Sequence, residues 1–151
     1  MVARSLGRIL VIDDDPNIVE MVSDYFAGAG YEVIAAHHGG DGLMLAEQER
    51  PDVVLCDIRM PGLSGVEVLQ QLKLRWRDLP VIIVSGAGDA LQAKRCLARG
   101  AFDYVPKPFN WEYLNRCVAT AIAQMGGPER APHTPRRSSR PGEAGALLDT
   151  A

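Results

Sequence analysis

The strongest constraint on how this chain folds is an alternation. Five short apolar runs, at residues 8–12, 31–36, 52–57, 81–85 and 102–105, are separated by segments with helical spacing. Runs such as DVVLCD and VIIVS are apolar at nearly every position, which suits strands covered on both faces rather than on one. Short strands alternating with helices predict an α/β fold, because right-handed crossovers lay the helices on both faces of a parallel sheet. The expectation is a doubly wound, five-stranded parallel sheet.

The intervening segments carry helix signals. Asp15 stands where it can cap a helix whose first turn accepts Pro16, and Ile18, Val22 and Phe26 recur at helical spacing, with Met21 and Tyr25 broadening the stripe until AGAG ends it. Further helices are expected at about 42–48, 64–74, 90–97 and 111–125, the last with Leu114, Val118 and Ile122 on one stripe. Trp76 and Trp111 read as packing or rim residues. The adjacent His37 and His38 read as loop residues, since neighbours on a strand point to opposite sides and do not share a metal.

Length and composition bound the rest. A chain of 151 residues with 47% hydrophobic and 23% charged residues supports one substantial core. After residue 125 the composition changes: residues 126–151 hold four prolines, four glycines, four arginines and no aromatic residue. So little apolar area cannot offset the entropy of ordering, and this segment is expected to be a disordered tail, with its RRSSR cluster solvated. The folded unit is then residues 1–125, with 12 Lys and Arg against 16 Asp and Glu, a net charge of −4. That acidity argues against direct nucleic-acid binding by the folded part. No run approaches the roughly 18 apolar residues of a membrane span, and the first ten residues lack the pattern of a secretory leader. A cytoplasmic protein with no membrane association is expected. Three well-separated cysteines, Cys56, Cys96 and Cys117, fit small core residues in a reducing compartment.

In an open parallel sheet, chemistry gathers beyond the carboxyl ends of the strands. Polar residues follow the runs here one after another: Asp13 and Asp14 after the first, Asp57 at the end of the third, Ser85 after the fourth and Lys107 after the fifth. Carboxylates crowded together repel one another unless a cation intervenes. Magnesium prefers hard oxygen ligands and keeps several waters, which suits Asp14 and Asp57, with Asp13 through water. Lys107 adds a movable positive charge, Ser85 a hydroxyl donor, and Asp57 a carboxylate able to attack phosphorus.

The stretches ILVIDDDP, DVVLCDIRMPGLSG, VIIVSGAGD and FDYVPKPF, in this order and each at a strand end, resemble the receiver domains of two-component response regulators, chemotaxis-type single-domain regulators included. The resemblance covers residues 8 to about 125. It implies a flavodoxin-like sheet with strand order 2-1-3-4-5. It also implies that Asp57 is the phosphoacceptor, that Asp13, Asp14, Asp57 and the backbone carbonyl of Arg59 bind Mg2+, and that Lys107 supports the phosphoryl group. Ser85 and Tyr104 take the switch positions, and the Lys107–Pro108 bond is expected to be cis. The implied donor is a sensor histidine kinase or a histidine phosphotransfer protein. The implied output is a phosphorylation-dependent surface on the fourth helix, fifth strand and fifth helix, read by a downstream protein or by a second copy of the chain. No metabolic turnover is implied, only self-phosphorylation and its reversal, and no folded output domain is expected after residue 125.

Two other functions share these residues. A protein-interaction module of the same fold would need no phosphorylation. An aspartate-nucleophile phosphohydrolase would need a second aspartate two positions beyond its nucleophile, where this chain has Arg59. A flavodoxin-like cofactor protein is weaker still, since DDDP fills the turn where close phosphate approach needs glycines.

Overall fold

A computed structural model of the chain describes residues 5–125. Five strands, β1 (Arg8–Ile12), β2 (Glu32–Ala36), β3 (Val53–Asp57), β4 (Val81–Ser85) and β5 (Asp103–Pro106), form one parallel sheet. Its order is β2-β1-β3-β4-β5, as the resemblance implies. Five helices connect and follow them: α1 (Pro16–Gly28), α2 (Gly39–Glu49), α3 (Gly65–Arg75), α4 (Ala90–Ala98) and α5 (Trp111–Gln124). No helix among the described residues is long and apolar enough to cross a membrane. The proposed tail, with its RRSSR cluster, lies outside these residues.

Alternation along each strand divides the core into two layers. Ile9 and Val11 of β1 pack with Val22 and Phe26 of α1 and with Leu114, Val118 and Ile122 of α5. Leu10 and Ile12 face the other way, toward Ala46 of α2, Val68, Leu69 and Leu72 of α3, and Ala93 and Cys96 of α4. Every residue of β3 and β4 is buried, which accounts for their uninterrupted apolar sequences. Phe26 is fully enclosed, so its side chain alone contributes about 2–3 kcal/mol of transfer free energy. All three cysteines are buried and free.

Local chemistry sets the helix starts. The Asp15 side chain accepts the Asn17 N–H at 2.9 Å, with Pro16 in the first turn. Ser64 and Glu67 form a reciprocal capping box at α3, the side chain of each bonded to the backbone N–H of the other. The expected elements all form, with revised edges. Helix α2 starts at Gly39, three residues early, and its first turn lies so close to Leu63 and Val68 that a side chain at position 39 would collide. Strand β5 extends to Pro106, tolerated on an edge strand where one side of the ladder needs no donor. The α1 stripe is also shifted: Val19 is buried and Met21 is half exposed, because the helix presents 19, 22 and 26 to the sheet. Trp76 ends α3 inside the core, whereas Trp111 stacks on Tyr25 at the α1–α5 seam.

The strand order places the site. From β1 the chain crosses to β2 on one side and returns to β3 on the other, with α1 and α2 on opposite faces, so a crevice opens beyond β1 and β3.

Candidate functional site at the carboxyl ends of β1, β3, β4 and β5

Register brings the acidic residues together. Ile12 pairs with Cys56, so Asp13 and Asp57 leave the sheet side by side, while Asp57 pairs with Val84 and Ser85 with Pro106. One carboxylate oxygen from each of Asp13, Asp14 and Asp57 lies within 4.8 Å of the others. Asp13 and Asp57 are buried and Asp14 is exposed, so the cluster has a floor and one side open to solvent.

This crowding has an electrostatic signature. The Asp57 carboxyl is pushed up to about 6, first by burial and then by the Asp13 charge, and Lys107 offsets only part of this. Three hard oxygen donors whose repulsion one cation would relieve fit a divalent metal ion.

Lys107 reaches the crevice because its backbone N–H donates to the Ser85 carbonyl at 2.7 Å, clamping the end of β5 to β4. Its ammonium donates to Asp13 Oδ2 at 3.1 Å and lies 3.4 Å from Asp57 Oδ1. Burial works to lower its pKa, but the two carboxylates outweigh that effect and hold the amine above the usual lysine value. The Lys107–Pro108 bond is cis. Ser85 is buried at the end of β4. Tyr104 is half-buried on β5, against the core layer that contains α3 and α4.

The loop between β3 and α3 is fixed from below. Gly65 donates its N–H to the Ile58 carbonyl at 2.9 Å, and a Cβ built on Gly65 would lie 2.3 Å from the Asp57 carbonyl oxygen. Only glycine permits α3 to start this close to the strand end that carries Asp57.

The Arg59 side chain faces solvent, and its Nη2 pairs with Asp89 Oδ1 across the loop before α4. Asp89 is buried and escaped sequence reasoning. Its one sequence signal, an aspartate just before a helix in GAGDA, points to a cap. The Arg59 guanidinium sits above its ordinary pKa through its bond to Asp89 and, to a lesser degree, the charge of Asp57.

Residues 9–119 match the family described as response regulator receiver domain. The chain belongs to the response regulator receiver family. Protein PilH of Pseudomonas aeruginosa is 39% identical over 123 residues, covering 78% of this chain and 99% of PilH. Regulatory protein AtoC of Escherichia coli is also 39% identical, over 118 residues, covering 78% of this chain and 26% of AtoC. The chain thus spans about a quarter of the length of AtoC and of the NtrC regulators it also matches. Among solved structures, a response regulator receiver domain protein from Clostridium thermocellum superposes with a TM-score of 0.78 at 33% identity, covering 80% of this chain and 98% of that one. Receivers take a phosphoryl group from a histidine kinase or phosphotransfer protein in two-component signalling, and they are not enzymes of metabolic turnover. The aspartate cluster of this receiver is suited to accept that group.

Proposed function

We propose that Asp57 is the phosphoacceptor and that Mg2+ binds between Asp13, Asp14, Asp57 and the backbone carbonyl of Arg59. The observation that carries this reading is the convergence of three carboxylates and the Lys107 ammonium on one crevice. Carboxylate oxygens of Asp13, Asp14 and Asp57 within 4.8 Å of one another are the hard donors that would hold such an ion. When bound, the ion would supply positive charge to the phosphoryl oxygens.

Asp57 forms a bond to phosphorus as the phosphorus–nitrogen bond to the donor histidine breaks. The electron pair leaves with the imidazole, which takes up a proton. Lys107 turns from its carboxylate partners toward the new phosphoryl oxygens, and the Ser85 hydroxyl donates to another. The added charge of about −1.5 to −2 draws Ser85 inward, and Tyr104 turns into the vacated space. That change alters the surface of α4, β5 and α5, which a downstream protein or a second copy reads. In this reading residues 1–125 are the receiver unit and 126–151 an appended tail.

The test is intact-mass analysis of the chain incubated with Mg2+ and acetyl phosphate, beside Asp57→Asn. A gain of one phosphoryl mass in the wild type alone is expected. Absence of gain, or equal gain in the variant, refutes the assignment and favours an interaction module that needs no phosphorylation.

A further inference from the structure

Asp89 holds the position just before α4, where an aspartate ordinarily accepts the N–H groups of the first helical turn. It makes no such bond. Its backbone, at φ −105° and ψ 8°, is not in the extended region a capping residue adopts, and its carboxylate is given instead to Arg59. The partners are unequal. The Asp89 side chain is 8% exposed and that of Arg59 is 76% exposed. Arg59 can therefore swing away at small solvation cost, whereas Asp89 cannot be left buried without a partner.

We propose that Arg59 and Asp89 form a clasp between the β3–α3 and β4–α4 loops that phosphorylation of Asp57 releases. This rests on Asp57 being the phosphoacceptor. Arg59 stands two residues beyond Asp57, and a phosphoryl group there offers it more charge than a single carboxylate and a geometry that accepts two parallel N–H bonds. Once Arg59 transfers, the buried Asp89 carboxylate takes the nearest free donors, the Leu91 and Gln92 N–H groups of its own helix. That requires ψ of Asp89 to rotate into the extended region. Gly88, at φ +88°, and Gly86 supply the backbone freedom for it. The clasp thus makes the cap of α4 conditional on the state of Asp57, and Asp89 acts as a positioning residue for both Arg59 and α4.

Amide hydrogen exchange at Leu91 and Gln92, on the full 151-residue chain with Mg2+, with and without beryllium trifluoride as phosphoryl mimic, tests this. A cap bond slows local opening about 5-fold. In the wild type, protection of both amides is expected to rise about 5-fold with the mimic. In Arg59→Ala it is expected to be high already and unresponsive, in Asp89→Ala low in both states, and in Arg59→Lys close to wild type. Resting protection in Arg59→Ala equal to wild type overturns the clasp, as does a normal response to the mimic in Asp89→Ala. If the mimic perturbs no amide near Asp57 in the wild type, the phosphoacceptor reading fails. The resting comparison of wild type with Arg59→Ala then still decides whether Asp89 is withheld from α4.

Discussion

Replacing Asp57 by asparagine is expected to stabilise the metal-free protein. The folded protein holds the Asp57 proton up to about pH 6, against an ordinary value of 3.8, because of burial and the Asp13 charge. A folded-state pKa above the unfolded value means that the native state binds this proton more tightly. Its stabilising contribution is complete below pH 3.8 and is lost as pH rises through about 6. At 1.36 kcal/mol per pKa unit the ceiling is about 3 kcal/mol at neutral pH. The crevice is open beside Asp14, so solvent screening reduces this to about 1–2 kcal/mol. For a domain of this size that is roughly 3–10 °C in Tm. Thermal melts in EDTA at pH 4, 5, 6 and 7.5 check it: Asp57→Asn should match wild type at pH 4 and exceed it increasingly through pH 6. Saturating Mg2+ should narrow the gap by stabilising wild type more. A variant less stable than wild type at pH 7.5, or a gap independent of pH, refutes the account of the crevice as a site of unrelieved repulsion.

Other perturbations test the supports of the site. Gly65→Ala places a Cβ against backbone atoms of Asp57 and Ile58 that cannot rotate away, so a loss of about 3 kcal/mol or more by urea denaturation is expected, with slowed phosphoryl uptake. Gly42→Ala would place a Cβ 2.4 Å from the fully buried, β-branched Ile12 side chain and should cost about 1–3 kcal/mol, with uptake preserved because the clash lies away from the Asp57 backbone. Ser64→Ala removes the α3 capping box and should cost about 1 kcal/mol by the same measurement. Lys107→Met removes the cation bonded to Asp13 and Asp57. Calorimetry should show tighter Mg2+ binding, while acetyl phosphate labels the variant more slowly; weaker Mg2+ binding would contradict the arrangement.

How much was legible beforehand differs from residue to residue. Asp13, Asp14, Asp57, Ser85 and Lys107 were readable because each ends an apolar run, and a parallel sheet gathers such ends without any knowledge of packing. Asp15 was readable as a cap because the bond it makes spans two residues. The exposed side of α1 was not. Periodicity defines a stripe only to within about one residue on each side, and the packing angle of the helix decided for Val19 over Met21. The link of Asp103 to Tyr113 at 2.7 Å and to Cys117 at 3.3 Å, which ties β5 to α5, also has no local sequence signal.

By itself, then, the sequence determined the element order, the buried character of β3 and β4, and the set of polar side chains delivered to one edge of the sheet, since these follow from short-range periodicity and the handedness of crossovers. Tertiary structure alone decided which of those groups touch. The sharing of Lys107 between Asp13 and Asp57, and the diversion of Asp89 from its own helix to Arg59, join residues up to 94 positions apart. Such pairings depend on register and loop path through space, to which spacing along the chain is blind.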